Sequence, residues 1–136
     1  MRSPEPEHPV VHVTPSAWVT ATDHGNVSVV AMGGEIDIAT APLLQRQLAT
    51  LLGNGRHRLV IDVSAVTFCD STGLGVLIGA ARALHLHGLR AHLTGLRPAM
   101  TRLFDVTGIA HAFTLHHDLA TATATAATDR GPTTDR

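Results

Sequence analysis

The chain has 136 residues, 44% of them hydrophobic and 15% charged, and a formal net charge of −1 with its ten histidines neutral. That length and composition suit one domain around a single aliphatic core. Every basic residue is an arginine, scattered along the chain, which leaves no electrostatic footprint for nucleic acid; the lone Cys69 excludes an internal disulfide and argues against a cysteine-based zinc site.

Residues 1–10 are expected to be a disordered tail, because Pro4, Pro6 and Pro9 interrupt polar sequence and Glu5 and Glu7 stand where a secretory leader needs apolar residues. Val11 to Thr20 reads as a first strand, weakened or confined to an edge by Pro15. Asp23-His24-Gly25-Asn26 is a turn, and Val27 to Met32 a second strand that pairs with the first as a hairpin. Thr40 and Pro42 mark a helix start, with Leu44, Leu48, Leu51 and Leu52 at helical spacing until Gly53-Asn54-Gly55. Leu59 to Val63 is short, rich in β-branched residues and apolar on both faces, as a central parallel strand should be.

After a loop following Val63, a helix is expected to begin near Ser71 or Thr72, carry Leu74, Leu77, Ile78, Ala81 and Leu84 on one stripe, and end at Gly88. Gly73 to Ala81, the longest run without charge or strong polarity, stops at Arg82, far short of the roughly 20 residues that span a bilayer, so a cytoplasmic protein without a membrane segment is expected. Arg90 to Thr94 reads as a strand. Pro98 opens a helix with Met100, Leu103 and Phe104 inward and Gly108 at its close. Ala112 to Leu115 is a last short strand, and Asp118 to Ala127 a final helix weakened by its threonines, with disorder expected over residues 128–136. The alternation predicts an α/β domain over residues 11–127, its helices packed on a mixed sheet that starts with an antiparallel hairpin.

Chemistry concentrates at Cys69-Asp70-Ser71-Thr72-Gly73-Leu74-Gly75. Unpaired N–H groups at the start of the helix would favour an anion, and a phosphate fits there; the same residues are also ordinary N-cap residues, and both readings stand on the sequence alone. Gly73-Leu74-Gly75-Val76-Leu77-Ile78-Gly79 looks like a variant dinucleotide fingerprint. Its glycines follow Val63 too late, and no acidic residue lies in Arg90 to Gly95 to hold a ribose. Gly75 and Gly79 are instead expected to let the helix approach its sheet. His85 and His87 point in different directions on a helix and His116 and His117 are adjacent, so neither pair starts a metal site. Cys69 has no identifiable base and is expected to pack beneath the loop. Asp37 reads as a turn residue or helix cap, Asp62 as a structural acid held by backbone donors. No complete acid, base and nucleophile set is present: the expected protein is not an enzyme and needs no cofactor.

Three segments carry a resemblance: Gly34-Glu35-Ile36-Asp37-Ile38-Ala39-Thr40-Ala41, Leu59-Val60-Ile61-Asp62-Val63-Ser64 through Phe68 to Gly75, and Arg97-Pro98 through Arg102 to Gly108. In order and spacing the chain resembles the STAS-domain anti-sigma factor antagonists of bacteria. The resemblance implies a binding module that engages an anti-sigma factor with a GHKL-type kinase fold and so frees a sigma factor. It implies Ser71 as phosphoacceptor, Asp70 as its carboxylate neighbour, Asp37 on the kinase-facing surface, and a partner site of Asp37, Asp70, Ser71, Thr72 and Gly73. A Ser/Thr phosphatase would reset the switch. Thr72, Cys69 and the apolar pair Ile38-Ala39 depart from the family pattern. The alternative is a non-phosphorylated STAS scaffold, such as an accessory subunit of a transporter or a stress-signalling assembly.

Overall fold

The structure, a computed structural model, describes residues 11–53 and 58–129. Strands β1 (Val11–Thr14), β2 (Ala17–His24) and β3 (Val27–Ile36) precede helix α1 (Ala41–Gly53). Then follow β4 (Leu59–Cys69), α2 (Ser71–Leu86), β5 (Ala91–Thr94) and α3 (Pro98–Thr107). A 3-10 turn, Ile109–Ala112, leads into β6 (Phe113–His116) and α4 (Leu119–Ala127). The six strands lie in one mixed sheet in chain order, antiparallel from β1 to β3 and parallel from β3 to β6.

Two strand expectations are corrected. The first strand is not continuous: Pro15 and Ser16 fall between β1 and β2, which pair antiparallel with each other. Pro15, with no N–H to donate, sits at that corner. The central strand does not end at Val63 but continues to Cys69, so no loop separates it from α2 beyond Asp70. Its pairing with β3 shifts register between Ala31 and Gly33 and again between Gly34 and Glu35, and these irregularities hide the alternation beyond Val63.

Alternation sets the two faces of the sheet. Val30, Met32, Leu59, Ile61 and Leu93 pack with Leu44, Leu48, Leu77, Leu84 and Phe104 of α1, α2 and α3 in the main core. Val27, Val29 and Val60 turn to the opposite face, where Ala122 and Ala126 of α4 cover them. Each fully buried leucine or phenylalanine contributes about 1.5–3 kcal/mol of transfer energy, so the main core dominates.

The threonine-rich α4 forms despite its composition because its ends are held. Asp118 caps it by accepting the Thr121 N–H at 2.7 Å, and Arg58 donates to the Ala126 carbonyl at 3.0 Å. Thr128 and Asp129, expected in the tail, lie within the described residues. The Asp129 carboxylate accepts the Arg90 N–H and meets His92 Nε2, each at 3.1 Å, and Arg58 reaches its carbonyl. The rest of both tails lies outside the described residues.

His92 also meets His116, Nδ1 to Nε2, at 3.0 Å. Two protonated rings would oppose N–H to N–H there. Burial, then His92, lowers the His116 pKa below its ordinary 6.5, against a smaller opposite pull from Asp118. The unfolded chain therefore takes up this proton first, and stability present above pH 6.5 is lost as pH falls through the lowered value. Urea midpoints measured between pH 7.5 and 5.5 are expected to fall with pH, and to fall less steeply in His116→Gln.

Candidate functional site

Strand β4 delivers Asp70 directly to the first turn of α2. Asp70 is extended (φ −106°, ψ −171°), its Oδ1 accepts the Gly73 N–H at 2.9 Å and its N–H donates to the Ile36 carbonyl at 3.3 Å. The cap reading of Asp70 is therefore physically realised. Ser71 and Thr72 are the first two residues of α2, and both are exposed. Gly73 is buried: a Cβ there would lie 2.6 Å from the Ile36 carbonyl oxygen and 2.8 Å from Cys69 Sγ. The close approach expected of Gly75 and Gly79 occurs here instead. A Cβ on either of those glycines would meet nothing within 4 Å, which corrects their packing role.

Ile36 and Cys69 are register partners in the parallel β3 and β4, so the loops that follow them leave the same end of the sheet. Asp37 opens the first loop. Its Oδ1 accepts the Ala39 and Thr40 N–H groups at 3.0 and 3.1 Å, and its N–H donates to Thr40 Oγ1 at 2.9 Å. The Thr40 hydroxyl, buried, donates to the Glu35 carbonyl at 2.8 Å. Asp37 thus shapes the turn ahead of α1 as well as bordering the Ser71 surface. Fold topology brings together Asp37, Asp70, Ser71, Thr72 and Gly73, although Gly73 contributes packing and a backbone donor rather than exposed surface.

Two apolar residues outside the expected partner site stand at this end: Ile38 is 75% exposed and Phe68 52% exposed. Ile38 is legible in the sequence as a departure after Asp37, whereas Phe68 falls where the pattern reads as loop, although it lies within β4. Large apolar side chains exposed on both chain segments make this surface suited to a protein partner.

Cys69, half-buried beside Gly73, has its thiol pushed up to about 11 by burial and then by the Asp70 carboxylate. Compared with a thiol at 9.0, the thiolate population at neutral pH is about 100-fold smaller. Alkylation of the native protein by iodoacetamide at pH 7.5 is expected to be slower than that of the urea-unfolded chain by about tenfold, because the more basic thiolate is also the stronger nucleophile and recovers part of the lost population. Asp62 Oδ1 accepts the Ser64 N–H at 2.9 Å, the structural role expected of it. Among the described residues no group of three or more His, Cys, Asp or Glu side chains is placed to hold a metal ion, and no helix is long and apolar enough to cross a membrane.

The STAS domain family model matches residues 19–122. The chain is 34% identical over 86 residues to an anti-sigma-B factor antagonist of Staphylococcus epidermidis, covering 63% of this chain and 80% of that relative. The chain belongs to the STAS-domain anti-sigma factor antagonists. A crystal structure of an anti-sigma factor antagonist from Mycobacterium paratuberculosis superposes on this STAS domain with a TM-score of 0.72 at 32% identity, covering 84% of this chain and 97% of that one. A murine solute carrier 26 anion transporter shares the fold alone, at a TM-score of 0.65 and 15% identity over 78% of this chain and 18% of its own. In this STAS domain, then, the residues singled out by the resemblance sit on one end of the sheet, with Ser71 at its exposed helix start.

Proposed function

We propose that this anti-sigma factor antagonist is a cytoplasmic binding module without catalytic activity, whose partner is an anti-sigma factor with kinase activity. In the unmodified state the surface around Ser71 engages that kinase and releases its sigma factor. The kinase, using its own ATP and magnesium, transfers phosphate to the Ser71 hydroxyl; the modified surface no longer binds, and a Ser/Thr phosphatase restores it. Transcription is affected through the kinase, without direct contact with nucleic acid.

The observation that carries this reading is the setting of Ser71. Its side chain is exposed on the first turn of a helix fixed to the central strand through Asp70, next to a loop shaped by Asp37. A rigid mount keeps the hydroxyl where a kinase can reach it, and apolar Ile38 and Phe68 supply surface for docking. The test is to incubate the protein with its cognate anti-sigma kinase and ATP and to locate phosphate by mass spectrometry. Modification of Ser71, absent in Ser71→Ala, is expected. Modification on Thr72 or the C-terminal threonines would defeat the assignment, and complex formation with no phosphate at all would favour a non-phosphorylated scaffold.

A further inference from the structure

A concave surface lies at the far end of α2. Ile78, Arg82, His85 and Leu86 recur at helical spacing on one face, and Ile109 and His111 of the 3-10 turn line the same groove, which has a volume of about 700 Å³. The α2 residues of the groove, Ile78 to Leu86, lie about 10 to 22 Å along the helix axis from Ser71, by the 1.5 Å rise per residue, and none of them belongs to the partner surface. Its volume lies within the roughly 300–1,000 Å³ typical of sites for small organic ligands.

The lining is apolar except for basic or imidazole side chains, and no Asp or Glu contributes to it. Among the described residues the Arg82 and His85 side chains make no hydrogen bond or ion pair. Helix α2 itself gains from a positive charge near its C-terminus, which gives His85 a structural rationale. That rationale accounts neither for the apolar hollow nor for His111, which comes from a different element. The same macrodipole disfavours an anion at the last turn, so the attraction must come from the guanidinium of Arg82, one turn further in, whose fork matches a carboxylate.

We propose that this groove binds a small amphipathic carboxylate of the medium-chain fatty-acid type. The alkyl body lies on Ile78, Leu86 and Ile109, and the carboxylate meets Arg82 within the rim formed by His85 and His111. The apolar wall supplies the affinity and Arg82 the choice of an anion.

The test is a titration of isotope-labelled full-length protein with octanoate, followed by backbone amide resonances, with octanol as the uncharged comparator. Saturable shifts are expected at residues 78–86 and 108–112 while those of Ser71 and Thr72 hold still. Octanol on the native protein, and octanoate on Arg82→Glu, are each expected to bind about tenfold more weakly or worse. Arg82 is exposed, so the variant keeps its fold, and its far-UV spectrum checks this. Absence of saturation at millimolar octanoate, shifts centred elsewhere, or equal binding of octanol and of the variant would each overturn the proposal.

Discussion

Phosphorylation of Ser71 is expected to weaken binding to the anti-sigma kinase by about 100-fold or more while moving the thermal midpoint of the free protein by only a few degrees. The two quantities separate because the phosphate meets different surroundings in each state. In the free domain it stands on the exposed first turn of α2, where the positive end of the helix dipole offers about 0.3–1 kcal/mol. The Asp70 carboxylate opposes that gain. Asp70 already occupies the Gly73 N–H, so the phosphate does not inherit that donor. In the complex the same group must fit between two packed surfaces, where extra volume and roughly −1.5 to −2 charge can cost several kcal/mol. Calorimetric titration and thermal unfolding of both forms in one buffer decide the matter. A large drop in melting temperature with unchanged affinity would reject a surface switch, and Ser71→Glu is expected to reproduce the block only in part, having less charge and fewer acceptor oxygens.

Gly34→Val is expected to destabilise the domain by about 4 kcal/mol or more, a large share of the roughly 5–15 kcal/mol that holds a domain of this size. Gly34 has φ +84°, a conformation that strains a β-branched residue, and a Cβ there would be driven into the Ser16 carbonyl. That carbonyl cannot simply retreat, since it accepts the Glu35 N–H at 2.8 Å and ties the β1–β2 corner to β3. Gly75→Ala is the matched control. Gly75 is exposed within α2 and its Cβ would enter open space, so the substitution should stabilise by about 0.5–1 kcal/mol through helix propensity. Urea unfolding separates the two, and a Gly34→Val midpoint close to that of the parent would refute the steric account.

The helices were legible because their signals are local. Pro98 and Gly108 bracket α3, Asp118 caps α4, and the leucine spacing of α1 and α2 names the buried stripe. The sheet was legible where side chains alternate regularly and not where the backbone shifts register. Beyond Val63 the exposed Ser64 and Thr67 look like loop, yet the strand continues because Gly33, Gly34 and Ile36 of β3 supply its partners. Long-range pairing of this kind leaves no trace in a local pattern. The site shows the same division. The Asp70 cap followed from its place before a periodic apolar run, whereas the buried fit of Gly73 against Ile36 and the seating of Asp129 on His92 depend on residues far apart in the chain.

Each strand pairs with its chain neighbour, so the order in which the polypeptide leaves the ribosome is also the order in which the sheet is assembled. The main core closes along the way, as α1, α2 and α3 emerge between the strands they cover. The opposite face has no such provision: Val27, Val29 and Val60 must wait for α4, which follows all six strands in the chain. Until Leu119 to Ala127 has been synthesised, the nascent sheet therefore carries a bare aliphatic stripe of the kind that recruits other chains or chaperones. A premature stop ahead of α4 would make that passing vulnerability permanent, although every residue around Ser71 would already be in place.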